Sequence, residues 1–181
     1  MPPAKYHERK LTMEVKDPSS TGGSTVRVGP GEGRAVRLAG LQLLTRKVSS
    51  EQTGGAYSLF EVAVASGGGS QPHVQHREDE CFYVLEGEFE FIVEGEAIEV
   101  GPGSLVYVPK GNLHSFENVG ATTGRMLINQ TPGGLHERFV EEIGKPEIGE
   151  TTPPQTKEQQ NLERFATVGA QYGVDIVRPL P

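Results

Sequence analysis

The chain has 181 residues, 17 of them basic and 24 acidic, for a formal net charge of −7. With 35% hydrophobic and 23% charged residues this is the composition of one globular domain with or without an extension, not of a disordered chain. The acidic balance argues against a nucleic-acid or anionic-membrane partner, and no apolar run approaches the ~20 residues that would cross a bilayer.

Cys81 is the single cysteine, so neither an intramolecular disulfide nor a thiolate zinc cluster can form. The stretch from Met1 to Leu11 is polar and lacks the apolar core of a secretory signal, which makes the cytoplasm the expected compartment. Residues 1–33 carry Pro2, Pro3, Pro18 and the run Gly29-Pro30-Gly31, and are expected to form an irregular arm.

From residue 34 to 131 the pattern is strand, turn, strand. Val36 to Val48 and Ala56 to Ala65 are rich in β-branched and aliphatic residues, separated by Gln52-Thr53-Gly54-Gly55. Phe89, Phe91 and Val93 alternate with glutamates, the signature of a half-buried strand. Ala97 to Val100 runs back, Gly101-Pro102-Gly103 turns again, and Leu105 to Val108 and Gly124 to Ile128 complete a series of short strands. Such spacing indicates an all-β sandwich or barrel. Over 132–181 the period becomes helical: Leu135, Phe139, Val140 and Ile143 form one stripe ending at Gly144. Leu162, Phe165, Ala166, Gly169 and Tyr172 form another, with Gly173 as its C-cap. These helices are expected to pack on the sheet or over its mouth.

Two segments of the β region carry the chemistry. The first reads Gly67-x5-His73-x-Gln75-x4-Glu80-x6-Gly87, and the second Gly103-x5-Pro109-x-Gly111-x2-His114-x3-Asn118. In this the sequence resembles the cupin superfamily, whose first motif has a His-x-His pair where Gln75 replaces the second histidine, and whose second motif is matched at every position. The resemblance implies a jelly-roll β-barrel, here with a short C-terminal helical extension, and a metal held by motif residues. It also implies a homodimer formed through sheet edges and exchanged N-terminal strands.

Strand parity supports the implied convergence. His73 and Gln75 share a face, and Glu80 joins them only if a turn lies between, through Arg77-Glu78-Asp79. Two imidazoles, an amide oxygen and a carboxylate suit one divalent transition metal: Fe, Ni, Mn, Co, Cu or Zn. Without Gln75, the set His73, Glu80 and His114 is the two-histidine, one-carboxylate arrangement of non-haem Fe(II) oxygenases. Gln75 is read either as a soft fourth ligand or as a hydrogen-bond donor to bound water or substrate. His76 is the alternative if a bulge turns it inward. His7 and His136, outside both motifs, are expected to face solvent, Cys81 to sit in the core, and Phe82, Phe89, Phe91 and Tyr107 to be lining residues.

A closer resemblance is to the small cupins of the quercetin 2,3-dioxygenase-like group, through Arg77-Glu78-Asp79-Glu80-Cys81-Phe82-Tyr83-Val84-Leu85-Glu86-Gly87 and through Thr131-Pro132-Gly133-Gly134-Leu135. It implies a small phenolic or enolisable substrate, O2 as co-substrate, and Glu80 as both metal ligand and catalytic base. A non-oxidative isomerase, cyclase or lyase, or a non-catalytic small-molecule-binding module, are the alternatives.

Overall fold

The computed structural model describes residues 25–149, 151–155 and 161–177. Most of the expected arm, and His7, lie outside the described residues. Among the described residues, ten strands precede the first helix: β1 (Arg34–Leu38), β2 (Gln42–Val48), β3 (Ser58–Val64), β4 (His73–Gln75), β5 (Asp79–Glu86), β6 (Phe89–Val93), β7 (Glu96–Val100), β8 (Leu105–Val108), β9 (Leu113–Asn118) and β10 (Gly124–Thr131). Then follow α1 (Leu135–Ile143), β11 (Lys145–Glu147), α2 (Leu162–Tyr172) and β12 (Val174–Ile176).

The strands form two antiparallel sheets. One has the order β11-β1-β2-β3-β10-β5-β8 and the other β12-β4-β9-β6-β7. They pack face to face as a jelly roll and are not closed by continuous hydrogen bonding into a barrel. The all-β fold expected from the strand series is therefore present, with two helices appended.

Period-two burial drives the packing. Phe60, Val62 and Val64 of β3, Phe82 and Val84 of β5, Phe89 and Phe91 of β6, and Met126 and Ile128 of β10 point inward and fill one apolar cluster. Phe82 meets Phe91 edge-on at 5.0 Å between ring centroids, and both contact Phe116 of β9. Phe139 and Val140 of α1 and Val168 of α2 join the same cluster, which fastens the helices to the sheets.

Three local features depart from the sequence expectation. The stretch from Val36 to Val48 is a hairpin, broken where Gly40 and Leu41 both take positive φ. The region after residue 131 also supplies strands too short to show a period: β11 beside β1, and β12 beside β4. Finally, Cys81 is half-buried and Tyr107 is 56% exposed, because the register pairs them with each other on the outer face of β5 and β8. Neither is a core or lining residue.

Candidate metal centre

Two local devices bring the site together. The chain bends between β4 and β5, so His73 rides on one sheet and Glu80 on the other. That bend over residues 76–78 restores the parity that a continuous strand would break. The Pro109-Lys110-Gly111 turn, with Gly111 at φ +91°, donates its Gly111 N–H to the Gln75 carbonyl at 2.7 Å and so aligns β9 with β4. In the resulting register His73 stands directly opposite His114.

The two imidazoles lie 4.2 Å apart between ring centroids. Each is oriented by the backbone carbonyl two residues before it: His73 Nδ1 is 2.8 Å from Gln71 O, and His114 Nδ1 is 3.1 Å from Asn112 O. A carbonyl oxygen only accepts, so in both rings Nδ1 carries the proton and Nε2 offers its lone pair to the interior. A metal-ligating histidine almost always donates its other ring N–H in this way, which fixes its tautomer and orientation.

Glu80 completes the group. Its Oε2 lies 2.7 Å from His114 Nε2 and 3.7 Å from His73 Nε2, and one ligand atom from each of the three residues falls within 4.8 Å of the others. Yet Glu80 Oε2 and His114 Nε2 are both buried without a hydrogen-bond partner. With both imidazoles neutral, carboxylate lone pair faces imidazole lone pair in a site shielded from water, an arrangement that either a shared proton or a shared metal cation resolves. The donor set therefore fits a borderline divalent metal. The other carboxylate oxygen accepts from Gln130 Nε2 at 3.4 Å, and Ser58 Oγ donates in turn to Gln130 Oε1 at 3.4 Å.

Electrostatics follow from this packing. Burial works to raise the Glu80 pKa, but the imidazoles of His114 and His73 outweigh it and hold the carboxyl well below its ordinary range. For His114, burial works downward and the Glu80 carboxylate upward, and the net shift is upward.

Gln75 is buried, and its Nε2 is committed to His136 Nδ1 at 2.6 Å, which leaves Oε1 as the one amide atom able to face an ion. His76 takes the opposite face, where its Nε2 meets Asp175 Oδ2 of β12 at 2.8 Å in an exposed pair. No bulge turns it inward.

His136, expected in solvent, instead lines the apolar pocket in front of the site. Its pKa is lowered to about 4, chiefly by desolvation and against the attraction of Glu80. The sequence did contain the signal: Phe139 and Val140 follow it at helical spacing, so they share its face. Glu78 was also missed. It is buried, and its carboxylate accepts the N–H groups of Leu135 at 2.8 Å and His136 at 2.7 Å at the start of α1. Burial pushes its pKa up to about 7, against those two donors, which lower it. The pocket also includes Leu44, Phe82, Phe116, Ile128 and Phe165. Of the aromatics expected to line it, Phe82 does so, whereas Phe89 and Phe91 lie in the core.

Residues 60–128, which hold all four motif ligand candidates, match the cupin domain family. The chain contains a cupin domain. This cupin is 28% identical over 123 residues to the quercetin 2,3-dioxygenase of Bacillus subtilis, a match that covers 68% of this chain but 36% of that one. It is 31% identical over 80 residues to an uncharacterized protein of Methanocaldococcus jannaschii, covering 44% of this chain and 64% of the relative. The chain thus spans about a third of the first relative and under two thirds of the second. Among solved structures it resembles the polyketide cyclase RemF of Streptomyces resistomycificus, with a TM-score of 0.53 and 27% identity over 60% of this chain and 80% of that one.

Proposed function

We propose that this cupin is a metal-dependent enzyme acting on a small phenolic or enolisable compound, with ring-cleaving dioxygenation as its reaction. One observation carries the reading: two Nε2 lone pairs and an unpartnered carboxylate oxygen converge beside a pocket lined by His73, Glu80 and mostly apolar residues. His73, Glu80 and His114 would hold the ion, with the Gln75 Oε1 as a fourth, weaker donor. When bound, the metal supplies Lewis acidity toward a ligand oxygen and, if redox-active, a means of engaging O2.

The chain's own groups do the rest. Phe82, Phe116 and Ile128 take the apolar body of the ligand and exclude water from its reacting end. Glu80, ionised across the neutral range, accepts the hydroxyl proton at Oε2 and leaves the ligand as its enolate or phenolate. Gln130 steadies the opposite carboxylate oxygen while that proton moves. The 28% identity to a quercetin 2,3-dioxygenase supports the oxidative direction.

Metal-loaded protein is expected to consume O2 with flavonols or β-diketones, and Glu80→Gln to lose about 100-fold or more of that rate. Equal rates in the two proteins would contradict the assignment of Glu80. A second reading, a non-oxidative cyclase, is favoured by the 27% identity to RemF. It predicts anaerobic turnover with Zn, which the first does not.

We further place the protein in the cytoplasm as a homodimer. A lone cysteine needs no oxidising compartment. Among the described residues no helix is long and apolar enough to cross a membrane. Tyr83, Leu85, Leu105 and Tyr107 are exposed together on β5 and on β8, which closes one edge of its sheet. A second copy of this chain is the occupant proposed for that edge.

A further inference from the structure

His136 is fixed at two points by the segment that also carries Glu80. Its backbone N–H donates to Glu78 Oε2 at 2.7 Å, and its ring Nδ1 receives the Gln75 amide at 2.6 Å. Gln75 does not line the pocket, whereas the His136 ring does, beside His73 and Glu80. The ring stands edge-on to Phe60 at 6.2 Å and to Phe139 at 6.0 Å between centroids, so it has little freedom to turn. An amide N–H can only donate, so Nδ1 is the acceptor and the ring proton resides on Nε2. Among the described residues, no hydrogen bond engages that Nε2. A fixed donor on the side of the ring away from Gln75 is thus left on a ring that lines a mostly apolar pocket.

We propose that His136 is a specificity-determining residue, whose Nε2–H donates a hydrogen bond to a second oxygen of the bound ligand. The ligand class follows: a small aromatic or enolic compound with one oxygen at the His73–Glu80–His114 group, an apolar body, and another oxygen facing His136. Gln75 is the positioning residue that sets the tautomer, a role distinct from contact with an ion. The inference rests on the reading of the pocket as a small-ligand site, but it does not depend on O2 chemistry.

The test measures binding of phenol, catechol, resorcinol and hydroquinone to the full-length, metal-loaded protein by calorimetry. At least one dihydric probe is expected to bind roughly tenfold tighter than phenol, because it satisfies the otherwise idle donor. His136→Phe keeps the ring packing and removes the N–H, so its dihydric probes should fall to the level of phenol. A preference that persists in His136→Phe, or is absent from the wild type, overturns the proposal. Nitrogen-15 spectra of the histidine ring in the wild-type protein give a reading that needs no variant to fold. A bare Nδ1 and a protonated Nε2 at His136 are expected, with a mixture of tautomers in Gln75→Leu; a protonated Nδ1 in the wild type overturns it. If the preference is found and lost as described but no O2 is consumed, the dioxygenase reading fails while this one stands.

Discussion

At the scale of single residues, the site depends on where two ring protons sit. Gln71 O and Asn112 O each fix an Nδ1–H, and both Nε2 atoms are thereby left with a free lone pair toward the interior. His73→Ala and His114→Ala are each expected to weaken transition-metal binding by tenfold or more, as equilibrium competition with a chelator will show, while His76→Ala changes nothing. An equal loss in His76→Ala would mean the ligands are misassigned. The spacing of both motifs made His73, Glu80 and His114 legible in the sequence, since strand parity and turn glycines are local properties. The partner of Gln75 was not legible, because His136 comes from a helix that only tertiary packing brings to the strand. Glu78 was hidden for a similar reason: an acidic run reads as solvated until a helix start is placed over it.

At the scale of elements, Asn118 shows that a motif residue need not touch the chemistry. It is fully buried at the end of β9, donates to Val64 O and Thr122 O at 2.8 Å each, and accepts Gly120 N–H at 3.0 Å. These bonds join β9 to the β3 end and to the turn before β10. Asn118→Ala leaves two carbonyls and one N–H without those partners and is expected to cost about 2–4 kcal/mol in denaturant unfolding. A loss below about 0.5 kcal/mol would contradict this role. Gly69 is similar: a Cβ there would strike the Phe116 carbonyl, so the approach of this loop to β9 needs glycine. Alternation made the longer strands readable, most clearly β6. The three-residue strands β11 and β12 offered no period to read, and β12, which covers the edge of the His73 strand, is held there by pairing with β4.

At the scale of the whole molecule, the jelly roll keeps its two inner faces mostly apolar, interrupted by the His73–Glu80–His114 group and by hydrogen-bonded polar residues such as Gln75, Gln130 and Asn118. The fold class was legible because many short strands at regular spacing leave few architectures. The division into two sheets was not, since it depends on which strands pair at a distance. The outer face of β5 and β8 bears Leu105 at 59% and Tyr107 at 56% exposure, a poor surface for a monomer. Light scattering on the purified protein is expected to give twice the mass of the chain, and Leu105→Lys with Tyr107→Lys to give the monomer. A monomeric wild type would refute the proposed edge contact.

The central claim is that His73, Glu80 and His114 share one metal ion. Elemental analysis of protein purified without chelator, combined with anomalous diffraction at the absorption edge of the metal found, tests it most directly. Close to one equivalent of a divalent transition metal is expected, with a single anomalous peak among the two Nε2 atoms and the Glu80 carboxylate. Far less than one equivalent that cannot be restored by added metal, or a peak elsewhere, would contradict it.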